Sequence, residues 1–244
     1  MAASGALLAA TLEAISRAAA PGVTTAELDE MAEDALRAGG GVPAFKGYQP
    51  GGGVSPFPGT ICASVNHEVV HGIPGPYVLA EGDIIAIDIG VVLDGWVADT
   101  ARTVAIGEIS DESARLLAAT RASLDAGIAA VRPGGHVGDI GEAVQGVVEA
   151  AGFAVIRSLV GHGVGRSMHE EPQVPNFGAA GTGVVLEEGV VIAIEPMVNV
   201  GGPDVGLTED GWTVTTRDGS RSAHFEHTVA VTAAGPRILT LPSA

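Results

Sequence analysis

Apolar residues fill the stretch 85–100, IAIDIGVVLDGWVADT, on both sides of an Asp-Gly pair. Such a pair between two apolar runs is typical of a tight β-hairpin, so we predict two buried strands. With that turn, Asp88 lies opposite Ala101. Asp99 lies opposite Gly90, which makes the two aspartates diagonal neighbours on one face, with backbones about 7–8 Å apart. A buried carboxylate without a partner loses its charge or costs several kcal/mol, so something must compensate both aspartates.

A pattern of paired helices occurs twice along the chain. The sequence LLAAT stands at 7–11 and again at 116–120, and each copy predicts the start of a helix that runs towards a Pro-Gly pair. A second helical pattern follows each, one from Thr24 and one from His136. In the first of these, Thr24 or Thr25 can cap the helix, and Glu27 then stands at N3 or N2 of that cap, as in a capping box.

The strand patterns are repeated as well. GDIIAIDIG at 82–90 is similar to GVVIAIEPM at 189–197, and DTARTVAI from Asp99 has a counterpart in EHTVAV from Glu226. Several matches in the same order indicate a duplicated unit. We therefore predict an α/β (α+β) fold of two pseudo-twofold-related halves, each with two helices followed by antiparallel strands, around a shared centre.

Length and composition fit this arrangement. The chain has 244 residues, of which 46% are hydrophobic and 17% charged, which can fill a large core and argues against disorder. We predict a single domain over 1–244, with halves at about 7–106 and 116–241 and no additional N-terminal domain.

The charge balance narrows the class of partner. The net charge is −17, and Lys46 is the single lysine against eleven arginines. Such a surface repels nucleic acids and anionic membranes, so we expect neither as a partner. We identify no signal peptide and no apolar run long enough for a membrane span. With Cys62 as the single cysteine, no intrachain disulfide can form, and we predict a cytoplasmic protein.

The second half of the chain offers partners for the two aspartates. Glu195 lies among apolar residues in IAIEPM, Glu226 begins the apolar stretch EHTVAV, and His162 stands between two glycines. Together with Asp88 and Asp99, they form a set rich in hard oxygen ligands. Such a set suits paired Mn, Fe, Co or Zn ions better than a structural zinc site, which favours thiolates.

Each of these residues also has an ordinary structural explanation when it is taken alone. A lone buried aspartate is usually satisfied in a turn or an ion pair, and a lone glutamate at a strand start is usually solvated. Three other histidines, His67, His136 and His224, are expected at the surface or in loops, and Asp94 is expected to serve the hairpin turn. The occurrence of five ligand-type residues at repeat-related positions favours the metal hypothesis.

Several longer stretches carry a family pattern, namely AFKGY (44–48), SVNHEVVHGIP (64–74), GDIIAIDIG with ADTART, GHGVGRSMHEEPQV, AIEPMV, DGWTV and FEHTVAVT. In these stretches the chain resembles the type I methionine aminopeptidases, in their short bacterial form, from about Leu8 to Leu241. This resemblance implies the pita-bread fold and the removal of N-terminal methionine.

The resemblance implies a role for each ligand-type residue. Asp88 should bind one of two divalent ions (Co, Mn, Fe or Zn). Asp99 and Glu226 should bridge both ions, and His162 and Glu195 should complete the other. A water between the ions should then attack the scissile carbonyl, because metal binding makes such a water nucleophilic near pH 7.

Further roles are implied for residues around the metals. Glu195 should accept the proton, His169 should donate a hydrogen bond to the substrate carbonyl or oxyanion, and His71 should contact the scissile amide nitrogen. The methionine side chain should enter an apolar slot, and the second residue of the substrate should be small. The residues that should line the slot are Tyr48, Phe57, Cys62, Met168 and Trp212.

Partners and departures follow from the same resemblance. The substrates should be nascent polypeptides, with a transient ribosome contact, and the protein should work as a monomer. The stretch QPGGGVSPF at 49–57 is longer than the usual link of the family and lies beside the slot.

Three other functions stay open. The first is an X-Pro aminopeptidase or prolidase, which shares the five ligands. The second is a creatinase-like hydrolase without metal, which should have lost several of them. The third is a catalytically weak paralogue that serves as a binding module, because the glycine-rich stretch could occlude the slot.

Overall fold

The computed structural model describes residues 1–49, 51 and 53–241. Within these residues it contains four helices: α1 (Ala2–Ala18), α2 (Thr25–Ala38), α3 (Asp111–Ala130) and α4 (Val137–Ala150). The strands are β1 (Val42–Pro43), β2 (Ile61–Val65), β3 (Glu68–Val70), β4 (Ile84–Leu93), β5 (Trp96–Ala105), β6 (Ala154–Val155), β7 (Gly161–Gly163), β8 (Glu170–Val174), β9 (Val191–Ile194), β10 (Met197–Asn199), β11 (Val205–Leu207), β12 (Val214–Thr216), β13 (Ser222–His224), β14 (Glu226–Thr232) and β15 (Gly235–Ile238).

The hairpin predicted from the Asp-Gly pair is formed by β4 and β5. Asp94 and Gly95 both have positive φ, at 52° and 73°, as a two-residue type I′ turn requires. The antiparallel register pairs Asp88 with Ala101 and Gly90 with Asp99. The predicted register is therefore confirmed, and both aspartates point to the same face of the sheet.

The helices follow the predicted repeat, but two of them begin earlier than the sequence pattern indicated. Helices α1 and α3 each begin five residues before their LLAAT copy, at Ala2 and Asp111. The physical reason in α3 is its cap, because the Ser110 side chain accepts a hydrogen bond from the Ser113 amide. The capping box of α2 is confirmed, with reciprocal hydrogen bonds between Thr24 and Glu27 of 3.2 and 2.7 Å.

One large antiparallel sheet connects the two repeats. Its strand order is β1-β4-β5-β14-β9-β7-β8, with β2 also paired to β4 and β15 also paired to β14. At the junction, Ala101 of β5 pairs with Asp88 on one side and with Glu226 of β14 on the other. Residues that pair across strands share a face, so Asp88, Ala101 and Glu226 form a row across the middle of the sheet.

Two apolar clusters cover the helix side of this sheet. The first packs α1 and α2 against β2 and β4. The second packs α3 and α4 against β9 and β14, and also against β10 of a separate three-stranded sheet with the order β13-β10-β6. The mixed α/β fold with helix pairs on a long antiparallel sheet agrees with the predicted class. Among the described residues, no helix combines the length and apolarity that a membrane crossing requires.

Candidate metal centre and substrate slot

The structure brings all five predicted metal ligands to one cavity of about 670 Å³. Asp88 and Asp99 lie on the two strands of the hairpin, and Glu226 begins β14. His162 lies in β7, and Glu195 directly follows β9. The ligands therefore come from neighbouring strands of one sheet, although the chain separates them widely.

The ligand atoms are close enough to share ions. One donor atom each from Asp99, His162 and Glu226 lie within 4.8 Å of one another. His162 Nε2 is 3.8 Å from Asp99 Oδ2 and 3.5 Å from Glu195 Oε1. These separations are too long for direct hydrogen bonds, and they match two donors placed about 2 Å from a common ion.

Threonine side chains fix the two acidic residues at the strand junction. The Thr228 hydroxyl accepts a hydrogen bond of 3.0 Å from the Asp99 amide and donates one of 2.7 Å to the Asp99 carbonyl. Across the same junction, the Thr100 hydroxyl donates to the Glu226 carbonyl at 2.7 Å. The backbones of both carboxylate residues are therefore held without the use of their side chains.

Several carboxylate oxygens in the cavity are buried without a hydrogen-bond partner, namely Asp88 Oδ1, Asp99 Oδ1 and Glu226 Oε1. Burial raises the pKa of Asp88 to about 7. Burial, followed by the charges of Glu226 and Asp88, holds the pKa of Asp99 well above its usual range. The pKa values of Glu195 and Glu226 are raised well above their usual range, again by burial first and then by neighbouring carboxylates.

The orientation of His162 gives a second reason to expect a cation. Its Nδ1 is 2.9 Å from the Gly163 carbonyl oxygen, which can only accept, so Nδ1 carries the hydrogen. Burial lowers the pKa of His162 to about 4, so at neutral pH its Nε2 presents a lone pair. This lone pair faces the carboxyl groups of Asp99 and Glu195, an arrangement that is repulsive unless a proton or a metal cation lies between them.

A nearby cationic side chain does not compensate the carboxylates. Arg102 of β5 follows Ala101 and therefore points to the other face of the sheet, where its Nη1 binds Glu13 of α1 at 2.8 Å. Four carboxylates and one imidazole thus fit divalent Mn, Fe, Co or Zn by the chemistry of the donor set.

The five residues predicted for the methionine slot lie together on the same cavity. Phe57, Cys62 and Met168 are buried in one apolar cluster, and Tyr48 and Trp212 pack against it. The rings of Phe57 and Trp212 meet edge to face, with centroids 5.1 Å apart. The slot is therefore lined by aromatic and sulfur-containing groups.

The glycine-rich stretch 49–57 borders this slot. Residues 50 and 52 lie outside the described residues. Around the remainder, the Phe57 amide donates to the Tyr48 carbonyl at 2.9 Å, and the Gly47 amide donates to the Phe57 carbonyl at 2.8 Å. Trp212 Nε1 donates to the Ser55 carbonyl at 2.9 Å. These bonds fix both ends of the stretch and hold Phe57 against the aromatic wall.

Two further histidines, His71 and His169, line the cavity beside the carboxylates. His71 has a φ of 60°, a left-handed conformation that is uncommon for non-glycine residues. Burial lowers its pKa to about 4. His169 Nδ1 is 2.8 Å from the Tyr48 hydroxyl, and when that hydroxyl donates, His169 Nε2–H is free to donate into the cavity.

A family model matches residues 1–233, almost the whole chain, under the description "Metallopeptidase family M24". The chain belongs to metallopeptidase family M24. Within this family it is 49% identical to a methionine aminopeptidase of Clostridium acetobutylicum, over 97% of the chain and 93% of that protein. It is 50% identical to methionine aminopeptidase 1 of Mycobacterium tuberculosis, over 99% and 91%.

Structural similarity leads to the same branch of family M24. The crystal structure of methionine aminopeptidase from Rickettsia prowazekii superposes with a TM-score of 0.94 at 43% identity. The match covers 98% of this chain and 95% of that one. The resemblance indicated by the sequence motifs and the predicted pita-bread fold are therefore confirmed.

The sequence prediction for His224 is wrong. This histidine is not at the surface, because only 1% of it is exposed, and it lines the cavity of this M24 chain. It ends β13 two residues before Glu226, and pairing with β10 turns it inward. By contrast, His67 is exposed, and His136 stands at the start of α4 as expected.

Another residue near the carboxylates was missed by sequence reasoning. Asn176 is fully buried, and its Nδ2 donates to the Glu195 carbonyl at 3.0 Å. The asparagine lies in a loop between strands, where no periodic pattern marks it. It fixes the backbone that carries the Glu195 side chain.

Proposed function

We propose that this chain hydrolyses the first peptide bond of polypeptides that begin with methionine followed by a small residue. The observation that carries the proposal is the convergence of five metal-donor side chains beside a slot of aromatic and sulfur-containing groups. Aminopeptidase chemistry is in keeping with family M24 and with the names of its relatives. The substrate class and the roles below are our inference.

Asp88, Asp99, His162, Glu195 and Glu226 would hold two divalent ions. When bound, such ions supply Lewis acidity, which polarises a carbonyl and lowers the pKa of water. The physiological metal is open among Co, Mn, Fe and Zn, since carboxylate and imidazole ligands suit all four.

Three residues around the scissile carbonyl would take part in proton transfer and hydrogen bonding during the reaction. Glu195 accepts a proton from the attacking water, whose oxygen bonds to the methionine carbonyl carbon. His169, oriented by Tyr48, donates a hydrogen bond from Nε2 to the oxyanion that develops. His71 would lie beside the leaving nitrogen, which takes up the proton accepted by Glu195 as the C–N bond breaks. The products are free methionine and a shortened chain with a new amino terminus.

The slot provides the selectivity for methionine. Polarisable sulfur and aromatic rings make favourable contacts with a thioether, so Met168, Cys62 and Trp212 suit a methionine side chain better than a branched one. A charged side chain would lose its hydration against these apolar groups without a partner. We propose that bulk at the second residue is excluded by the cavity wall beside His71.

The cellular setting is also part of the proposal. Nascent polypeptides are the expected substrates, which places the enzyme in the cytoplasm with transient ribosome contact. Because one chain supplies all proposed ligands and slot residues, a monomer is sufficient. The net charge of −17 argues that any ribosome contact is with protein rather than RNA.

A peptide panel tests the proposal. The metal-free protein is supplied with Mn, Fe, Co or Zn and incubated with Met-Ala-Ser, Met-Lys-Ser, Leu-Ala-Ser and Ala-Pro-Ala, and released amino acids are measured by mass spectrometry. We expect metal-dependent release of methionine from Met-Ala-Ser alone. Glu226→Gln should abolish it, and the same substitution at the exposed Glu187 should not.

The other outcomes of the panel separate the alternatives. Cleavage of Ala-Pro-Ala in place of Met-Ala-Ser would assign the chain to X-Pro substrates. No turnover by protein that binds metal would favour the binding-module alternative. Turnover that persists without metal would contradict the proposed centre and support a creatinase-like hydrolase.

A further inference from the structure

We infer that His224 is a positioning residue for the Glu195 carboxylate, a role that rests on the proposed function. In this inference the imidazole of His224 donates a hydrogen bond from Nε2 to Glu195 Oε2. The bond holds the other oxygen, Oε1, towards His162 and the proposed ions. His224 itself touches neither substrate nor ion.

The first argument is the burial of an unsatisfied polar ring. His224 is 1% exposed, and both of its ring nitrogens, Nδ1 and Nε2, lack a hydrogen-bond partner. Buried side-chain nitrogens are nearly always paired in folded proteins, so an unpaired ring beside a cavity points to a partner there. The atom nearest to its Nε2 among charged groups is Glu195 Oε2, at 3.8 Å.

The second argument is the rigidity of the backbone on which the ring stands. The His224 amide donates to the Thr103 hydroxyl at 2.9 Å, and that hydroxyl donates to the His224 carbonyl at 2.8 Å. The residue also pairs with Met197 in the β10–β13 ladder. With the backbone fixed by two strands and the side chain buried, the ring lies in the wall of the cavity.

The third argument is the placement of Glu195 between two imidazoles. Its Oε1 lies 3.5 Å from His162 Nε2, and its Oε2 lies 3.8 Å from His224 Nε2. His162 presents a lone pair to Oε1, because its Nδ1 donates to Gly163. A donor on the opposite side is therefore needed to orient the carboxylate, and His224 is placed to provide one after a closure of about 0.8 Å to ordinary hydrogen-bond length.

Such outer hydrogen bonds have a known general effect on metal sites. Carboxylate ligands are themselves hydrogen-bonded, and loss of the outer partner typically costs about 10- to 100-fold in metal affinity or activity. Loss of this hydrogen bond to Glu195 would have two effects, because the same carboxylate is proposed both to bind an ion and to accept the proton. Metal affinity and kcat should therefore fall together, while KM should change little.

The test compares two amides of different reach. In His224→Gln, the side-chain amide can reach Glu195 and donate, whereas in His224→Asn it is one methylene shorter and cannot. His227→Gln is the control, because this half-buried histidine is bonded to Thr240 through Nδ1 and does not line the cavity. Thermal unfolding of each metal-free variant identifies any that does not fold.

The main readout is the dissociation constant for Mn²⁺, measured by calorimetry on metal-free protein, so it does not depend on the substrate. We expect the dissociation constant of His224→Asn to be about 10- to 100-fold larger than that of the wild type. Wild-type values should persist within about threefold in His224→Gln and His227→Gln. Equal affinity in a folded His224→Asn and the wild type would overturn the inference. A wild type that binds Mn²⁺ but does not release methionine would overturn the proposed function instead.

Cobalt spectroscopy separates positioning from direct ligation. The visible absorption of bound Co²⁺ reports the donor atoms of its ligands. If His224 positions Glu195, the band positions in His224→Gln should match those of the wild type. A shifted band in this variant would make His224 a ligand and would overturn the positioning role.

Discussion

Replacement of Asp88 by asparagine should stabilise the metal-free protein, although the residue is proposed to bind metal. Burial raises the pKa of Asp88 to about 7, against 3.8 ordinarily. At 1.36 kcal/mol per pKa unit, this corresponds to about 4 kcal/mol between the two protonation states. The folded state therefore holds its proton more tightly than the unfolded state does.

The sign of the pH dependence follows from that difference. Well below pH 3.8 Asp88 is protonated in both states, and its burial then carries no charge penalty. As pH rises from about 4 to about 7, the unfolded state ionises first, so the wild type loses stability progressively. Asparagine has no charge to bury at any pH. The advantage of Asp88→Asn should therefore grow from about 2 kcal/mol at pH 5.5 to about 4 kcal/mol at pH 8.

Urea unfolding of both metal-free proteins at pH 5.5 and 8 measures this advantage. For a chain of this size, 4 kcal/mol corresponds to a rise of about 8–16 °C in Tm. Asp94→Asn, the same substitution in the exposed hairpin turn, is the control. An advantage that is equal at both pH values, or a less stable Asp88→Asn protein at pH 8, would refute the reasoning. Excess Mn²⁺ should reverse the order, because the wild type alone keeps its full ligand set.

Three further predictions concern the site and its support. His169→Ala should lower kcat about 10²- to 10³-fold, because the variant loses a hydrogen bond to the oxyanion, and it should leave Mn²⁺ affinity unchanged. Steady-state kinetics and calorimetry measure the two quantities, and weaker Mn²⁺ binding would contradict an oxyanion role. In Gly161→Ala, the new Cβ lies 2.3 Å from the Ala193 carbonyl oxygen, which should cost about 3 kcal/mol in urea unfolding. Gly146→Ala in α4, with open space around it, is the control and should gain up to about 1 kcal/mol; equal effects would disprove the clash. Thr24→Ala removes the side-chain cap of α2 and should lower the free energy of unfolding by about 1 kcal/mol, which corresponds to a Tm lower by about 2–4 °C. An unchanged Tm would argue against the capping box.

The hairpin at the centre could be predicted from sequence because its rules are local. Asp94 and Gly95 favour a two-residue turn, and that turn alone fixes the register for the next ten pairs. The shared face of Asp88 and Asp99 could therefore be predicted from this local stretch alone. The pairing of β5 with β14 is not local, and it was indicated only by the internal repeat.

His224 could not be recognised in the same way. His224, Phe225 and Glu226 are all buried, so this stretch lacks the alternation of exposed and buried residues that marks a one-sided strand. The remaining signal was its spacing of two residues from Glu226. That spacing places both side chains on one face in an extended chain, but it says nothing about burial.

The slot depends on contacts between distant segments. Phe57 is held beside the slot by its backbone hydrogen bonds with Tyr48 and Gly47, and Trp212 lies in the loop before β12. No periodic pattern marks either position, because loop residues are placed by turn geometry and not by a repeating face. Their grouping was available only through resemblance to a family.

The distribution of the proposed ligands along the chain has a mechanical consequence. Asp88 and Asp99 precede α3, whereas His162, Glu195 and Glu226 follow α4. An ion held by both groups would act as a cross-link that closes the long loop from Asp99 to His162. With one cysteine, the chain cannot form a disulfide of its own. The ion would be a reversible cross-link, so the metal concentration would determine the free energy of unfolding of the chain as well as its activity.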